Sequence, residues 1–243
     1  MKKQNSNAQT VDTNSKVNLK IDWATHEAAK YACENWHYSK CTPAGKLVKI
    51  GVWENERFIG VVIFSRGANN TLGAPYGLSQ TECCELTRIA LHSHVNPVSR
   101  IMKLALIFLR KNSPGIRLII SFADPEQGHH GGVYQATNWI YNGKTNAADE
   151  YVVNGKRMHG RSMRALYGTH VGKKFIQKVL GSSKHRYIMP LDDEMRKKVK
   201  SLARPYPKRA SSKDIVAVCD QQTEGGENPT DALQPKLIKL TAK

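Results

Sequence analysis

The chain has 243 residues, with 37 Lys and Arg against 20 Asp and Glu, a formal net charge of +17. Its 40% hydrophobic content excludes a disordered chain, and no apolar run approaches the ~20 residues that span a bilayer. Five cysteines, an odd number without any Cys-x-x-Cys pair, argue against a zinc ribbon and a disulfide framework. The expectation is a soluble intracellular protein with reduced, mostly structural thiols.

Residues 1–19 are polar and aperiodic and read as a disordered arm. Thr25 is placed to cap a helix running to Trp36. Leu47–Glu54 and Arg57–Ser65 are β-rich runs around Asn55-Glu56, a two-residue hairpin turn. Cys84–Leu91 alternates as a strand, which puts Glu85 and Thr87 on one face and Leu86 and Arg88 on the other. Pro97 suits the first turn of a helix whose apolar positions recur over Ile101–Lys111. Ile116–Ala123 is a continuous apolar run, the signature of a strand buried on both faces. Val133–Tyr141 has helical spacing, and Glu150–Val153 with Lys156–His159 suggest a hairpin around Asn154-Gly155. From Arg204 onward the chain is rich in Pro and Gly and reads as a largely disordered tail. The expected organisation is an α/β (α+β) body over 20–203, a mixed central sheet flanked by helices, between two disordered ends.

The charge is uneven. Residues 156–204 hold 14 basic and three acidic groups, about two thirds of the excess. A localised basic stretch is the footprint of a polyanion partner. Lys173, Lys174, Lys184 and Arg186 are the candidate nucleic-acid contacts, and Tyr167, Phe175, Tyr187 and Tyr206 interleave as stacking platforms.

Four clusters are candidates for chemistry. Asp124 follows the carboxyl end of an apolar strand, where ligands bind in open α/β sheets. Gly128, Gly131 and Gly132 then permit close backbone approach, and Tyr134 follows in the first turn of the expected helix, whose N–H groups face an anion. His37 and Tyr38 form the second cluster; histidine serves as base or metal ligand near neutral pH. Arg88, on an otherwise apolar face, needs an anionic partner from protein or ligand, because a lone buried charge is expensive. Ser99 and Arg100 at a helix start form a natural phosphate or carboxylate site.

The motifs containing these residues resemble the Mom family of phage DNA-modification proteins: Asn35–Ser39, Gly51–Glu54, Ile59–Phe64, Glu85–Arg88, Pro97–Arg100, Ser121–Pro125, the unusual string His129–Trp139, and Lys184–Tyr187. The resemblance covers about residues 33 to 200. It implies a fold similar to GCN5-related N-acetyltransferases. It also implies conversion of adenine in double-stranded DNA to N6-(carbamoylmethyl)adenine, which shields phage DNA from restriction in the host cytoplasm. The family's important positions fall on His37, Tyr38, Arg88, Ser99, Asp124 and Tyr134, with Tyr134 as general acid and Asp124 as acceptor of the N6 proton. Iron implicated in the family makes His37 and Asp124 candidate ligands.

One departure concerns the donor. Acetyltransferases of that fold cradle the coenzyme A pyrophosphate on a Gly-rich loop, whereas the junction here, His92–Arg100, has no glycine and carries Pro97. Acetyl-coenzyme A therefore competes with an activated glycyl group, such as glycyl-tRNA, which would make tRNA a second partner. An oligomer is compatible with the sequence. Two other readings use the same features: an acyltransferase acting on tRNA or protein amines, and a DNA-binding protein without activity.

Overall fold

The computed structural model describes residues 17–208 apart from 68–69, 148, 154–155 and 160–175. Lys173 and Lys174 thus lie outside the described residues, as does nearly all of the N-terminal arm and of the tail. All the described residues except Lys208 belong to one unit, which ends at Pro207.

The expected local signals are used where they occur. Thr25 Oγ1 accepts the Ala28 amide at 3.1 Å and starts α1 (His26–Trp36), which buries Ala29, Ala32 and Cys33. Strands β2 (Leu47–Glu54) and β3 (Arg57–Ser65) pair antiparallel with Glu54 opposite Arg57. The two turn residues Asn55 and Glu56 have φ of 47° and 67°, the left-handed pair that matches strand twist in a tight hairpin. A bulge in β3 brings Gly60 to φ 142°, where an added Cβ would lie 2.0 Å from the Ala90 carbonyl oxygen of β4 (Cys83–Leu91). Only glycine fits there.

Helix α2 (Val98–Asn112) follows Pro97 and leads down to β5 (Leu118–Ala123), which pairs parallel with β4. Adding β1 (Leu19–Trp23), β6 (Ile140–Lys144) and β10 (His185–Pro190) gives a seven-stranded sheet in the order β1-β2-β3-β4-β5-β10-β6. A second sheet consists of β7 (Asp149–Val153) between β8 (Lys156–His159) and β9 (Ile176–Leu180). One face of the large sheet packs Val52, Val62, Phe64, Ile119 and Tyr187 against Ile101, Met102, Ala105 and Leu109 of α2. The other face carries α1 over Val61, Ile63 and Ala90, and α4 (Asp193–Val199) over Leu118, Ile120 and Ile188. Each fully buried large aliphatic side chain contributes about 1.5–3 kcal/mol. Arg117 ties α4 to the start of β5 through Asp192 at 2.9 Å and Glu194 at 2.8 Å.

Four expectations change. Leu19–Trp23 forms the edge strand β1, so the body begins before residue 20. The helix expected over Val133–Tyr141 is only α3 (Gly132–Gln135): Asn138 turns to φ 60°, Trp139 is buried, and Ile140 and Tyr141 pair with β10. Its apolar spacing suited either state, and the unpaired edge of β10 decided for strand. Residues 204–207 also belong to the body, since the Arg204 amide donates to the Tyr141 carbonyl at 2.9 Å and the Tyr206 hydroxyl to the Trp139 carbonyl at 2.6 Å. Lastly, part of the basic 156–204 stretch is core: Tyr187 is fully buried in β10 and cannot stack on a base.

Candidate functional site

The site begins where β4 and β5 part. Their parallel ladder runs from Cys83 opposite Leu118 to Leu86 opposite Ser121 and goes no further. At that fork Ser121 Oγ donates to the Leu86 carbonyl at 2.8 Å. The strands separate because β4 bulges: Leu86 pairs with Phe64 and Arg88 with Ile63, leaving Thr87 as the extra residue, its hydroxyl bonded to the Ile63 carbonyl at 3.1 Å. The bulge reverses the alternation. Leu86 faces α2 whereas Arg88 is registered with Ile63, on the α1 face, so the expectation that the two share a face is corrected.

Arg88 reaches across to the end of α1. It donates to the Thr87 carbonyl at 2.8 Å and to Cys41 Sγ at 3.9 Å, while its Nε is buried without a partner. Among the described residues no carboxylate pairs with it. A guanidinium held this way offers donors to an anionic or carbonyl ligand.

His37 ends α1 in extended conformation, buried beside Arg88. Burial, with Arg88, His129 and Lys40 next in weight, pushes its pKa down to about 4. It is therefore neutral at pH 7. Its Nδ1 accepts the Ser39 amide at 3.1 Å and lies 2.8 Å from Ser39 Oγ, so the proton sits on Nε2. His37 is thus an N–H donor rather than a base. Tyr38 packs on His37 at a ring distance of 4.3 Å and meets His129 edge-on at 5.5 Å, remaining half exposed.

Tyr134 is held at the fork. Ser121 spends its one proton on Leu86, so the Tyr134 hydroxyl, 2.8 Å away, donates to Ser121. Burial, partly offset by that bond, pushes its pKa up to about 12. It is a phenol at neutral pH whose lone pairs are left for a ligand; to serve as an acid it has to give up the Ser121 bond. Its ring stacks on Tyr187 at 4.9 Å. The close approach at Gly131 also serves Tyr187, whose ring a Cβ would meet at 2.3 Å, and the Tyr187 hydroxyl donates to the His130 carbonyl at 2.7 Å.

These side chains line one cavity of about 490 Å³ in the fork, with Trp36, His37, Tyr38, Arg88, His94 and Tyr134 among its walls. Two other expected residues fall elsewhere. Ser99 and Arg100 line a separate cleft of about 680 Å³ beside α2, with Lys103, Arg110 and Arg196. Asp124 is absent from both linings. It pairs with Lys184 Nζ at 3.0 Å, accepts the Glu126 amide at 3.1 Å and the Ser182 hydroxyl at 3.3 Å, and so fastens the turn that carries His129 and His130. Burial alone would raise its carboxyl, but Lys184 and the amide hold it below its ordinary value. Asp124 and Lys184 thus neutralise each other beside the fork rather than in the lining of either cavity. Arg186 sits on β10 opposite Phe122. With only four residues, α3 is too short to act as an anion-binding helix.

The iron expectation does not fit. The Asp124 carboxylate is neutralised by Lys184, His37 Nδ1 is occupied by Ser39, and among the described residues no group of three His, Cys, Asp or Glu converges. The loop expected to hold a coenzyme A pyrophosphate is partly engaged within the chain. The amides of Val95 and Asn96 and Asn96 Nδ2 donate to the buried Glu54 carboxylate at 2.7–3.1 Å, so these three donors already hold an anion of the chain's own. Glu54, Ser39, Ser121 and His94 were not singled out as site residues in the sequence: Glu54 and Ser121 find their partners far along the chain, and the two-residue contacts of Ser39 with His37 and of His94 with Asn96 need a loop geometry that periodicity does not report.

Breaking the Asp124–Lys184 pair from either side should weaken the same turn. Asp124→Asn and Lys184→Met are expected to lower stability with a coupling energy of about 0.5–3 kcal/mol in a double-mutant cycle. Additive losses in thermal or urea unfolding would show that the pair does not hold the turn.

The molecule is thus a mixed α/β protein whose forked parallel strands enclose a cavity lined by an arginine with an unpartnered Nε, imidazoles and a partly buried phenol. The chain matches the Mom protein family over residues 18–208 and belongs to that family. It is 27% identical over 203 residues to methylcarbamoylase Mom of Escherichia phage Mu, covering 78% of this chain and 84% of that protein. Similar solved structures include the aminoglycoside acetyltransferase AAC(6')-Ib in complex with coenzyme A, with a TM-score of 0.45 and 8% identity over 75% of this chain and 99% of that one. Another is a GNAT family acetyltransferase from Elizabethkingia anophelis with acetyl-CoA bound, with a TM-score of 0.38 and 14% identity over 72% of this chain and all 100% of that one. No helix among the described residues is long and apolar enough to cross a membrane.

Proposed function

We propose that this chain is a phage DNA-modifying transferase that converts adenine in double-stranded DNA to N6-(carbamoylmethyl)adenine in the host cytoplasm and so protects the DNA from restriction. Family membership supports the reaction class, as does the activity for which the phage Mu relative is named. The observation that carries the reading on this chain is the fork cavity, where Arg88 has a buried Nε without a partner beside the aromatic rings of Trp36 and Tyr38. Adenine N6 is inaccessible to such a pocket inside a duplex, so the base is flipped out at a cost of a few kcal/mol, which stacking on the rings offsets. The overall charge of +17 supports a polyanionic partner.

The product joins a CH2 to nitrogen and ends in an amide, which transfer from acetyl-coenzyme A does not supply. An activated glycyl group does. Attack by N6 on its carbonyl carbon forms an N6-glycyl amide; the free glycyl amine then reaches C6 through a five-membered ring, and ring opening leaves the former N6 as the terminal amide. The engaged amides of Val95 and Asn96 favour such a donor over one anchored by a pyrophosphate at that loop.

Nucleoside mass spectrometry of DNA from cells expressing the chain tests both points. The modified adenine is expected, with 15N from labelled glycine on the nitrogen attached to C6. Soluble protein with unmodified adenine overturns the function, and label arriving from acetate alone overturns the donor.

A further inference from the structure

Any transfer to N6 needs a base, because the attacking amine must lose a proton. Three groups in or near the fork do not supply one. Asp124 is paired with Lys184 and does not line the cavity. His37 has its acceptor nitrogen turned to Ser39, and Tyr134 is a phenol bonded to Ser121. His94 is the reverse of His37. Its Nδ1 lies 2.8 Å from the Asn96 carbonyl oxygen, which can only accept, so Nδ1 carries the proton and the neutral ring presents a lone pair at Nε2. His94 lines the same cavity as His37, Arg88 and Tyr134.

The carbonyl that sets this tautomer is itself immobilised. The Asn96 amide and Nδ2 both donate to Glu54 Oε1, at 2.7 and 2.8 Å, and Asn96 Oδ1 accepts from Arg100 at 2.9 Å. A fixed Nδ1–H bond of this kind is how a base histidine is held in orientation. His129 and His130, the other two imidazoles of the lining, have no ring hydrogen bond that selects a tautomer among the described residues.

We propose that His94 is the catalytic base of this site, with His37 as its complementary N–H donor; the proposal rests on the transferase reading above. N6 attacks the carbonyl carbon of the activated acyl donor and the N6–C bond forms. The N6 proton passes to His94 Nε2 while His37 Nε2–H and Arg88 receive the charge on the carbonyl oxygen. The bond from carbon to the leaving atom then breaks, and that atom departs with the proton His94 had taken.

Two measurements test this. In the 15N-histidine-labelled wild-type protein at pH 8, with residues assigned through the backbone, two-bond ring correlations are expected to show His94 as the Nδ1–H tautomer and His37 as Nε2–H; the opposite state of His94 overturns the proposal without any donor being known. His94→Gln keeps a donor for the Asn96 carbonyl but has no basic nitrogen. Co-expressed with DNA, it is expected to give at least about 100-fold less modified adenine than wild type, with DNA affinity and melting temperature unchanged. Modification by His94→Gln above a tenth of wild type overturns the base, whereas unmodified DNA from the wild type itself overturns the transferase reading. Should His94→Gln fail to fold, the wild-type tautomer decides.

Discussion

Arg88→Met is expected to cut adenine modification at least about 100-fold and to leave the protein as stable as wild type or more so. The two effects share one cause. Arg88 Nε is buried without a partner, and the guanidinium bonds only a carbonyl and a thiol among the described residues. A buried N–H donor without a partner costs the folded state free energy, and an apolar chain of similar length removes that cost. The same unpaired donors are what the site offers to a developing oxyanion, so stability and activity move in opposite directions. Arg88→Lys should not restore activity, because an ammonium cannot reproduce the planar fork. Urea unfolding alongside nucleoside mass spectrometry checks the pair of effects. A loss of more than about 2 kcal/mol in Arg88→Met would mark the residue as structural instead.

Glu54→Ala should be the most destabilising polar substitution in the described body, by about 3 kcal/mol, since it strands three donors around a site only 3% exposed. Burial alone would raise the Glu54 carboxyl, but the Val95 and Asn96 donors hold it below its ordinary 4.5. A lowered folded-state value means the carboxylate stabilises the protein above pH 4.5 and that this contribution fades as pH falls through the folded value. The stability gap between wild type and Glu54→Ala should therefore be full at neutral pH and shrink once the pH falls below the ordinary 4.5 and through the lowered folded value. Urea titrations at several pH values read it directly; a gap independent of pH would mean that packing, not charge, is lost. Because the Asn96 carbonyl orients His94, this variant should also loosen the His94 ring.

Much of the body was legible from periodicity. The Thr25 cap, the Asn55-Glu56 turn and the apolar run in β5 are local signals whose free energy is contained within a few residues, and the structure uses them at nearly the expected positions. Sequence also brought His37, Tyr38, Arg88 and Tyr134 forward as candidates, and the fold gathers all four around one cavity. It failed at β6, where Asn138 and the pairing of Tyr141 with Tyr187 override a helical pattern, and at β10, which reads as part of a charged stretch yet runs inside the sheet between β5 and β6.

By itself, then, the sequence determined the element types wherever hydrophobic spacing, caps and turns agreed, the strong positive charge, and a set of polar residues placed where strands give way to loops. Only the tertiary structure decided which face Arg88 takes, because a single bulged residue at Thr87 reverses the alternation of β4. It alone decided that Asp124 spends its charge on Lys184, and that His37 and His94 hold opposite tautomers. The physical reason is common to all three. Periodicity reports which side of an element is apolar, whereas the state of an ionisable group depends on partners distant in the chain, as with Asp124 and Lys184, or on a backbone geometry that packing alone fixes.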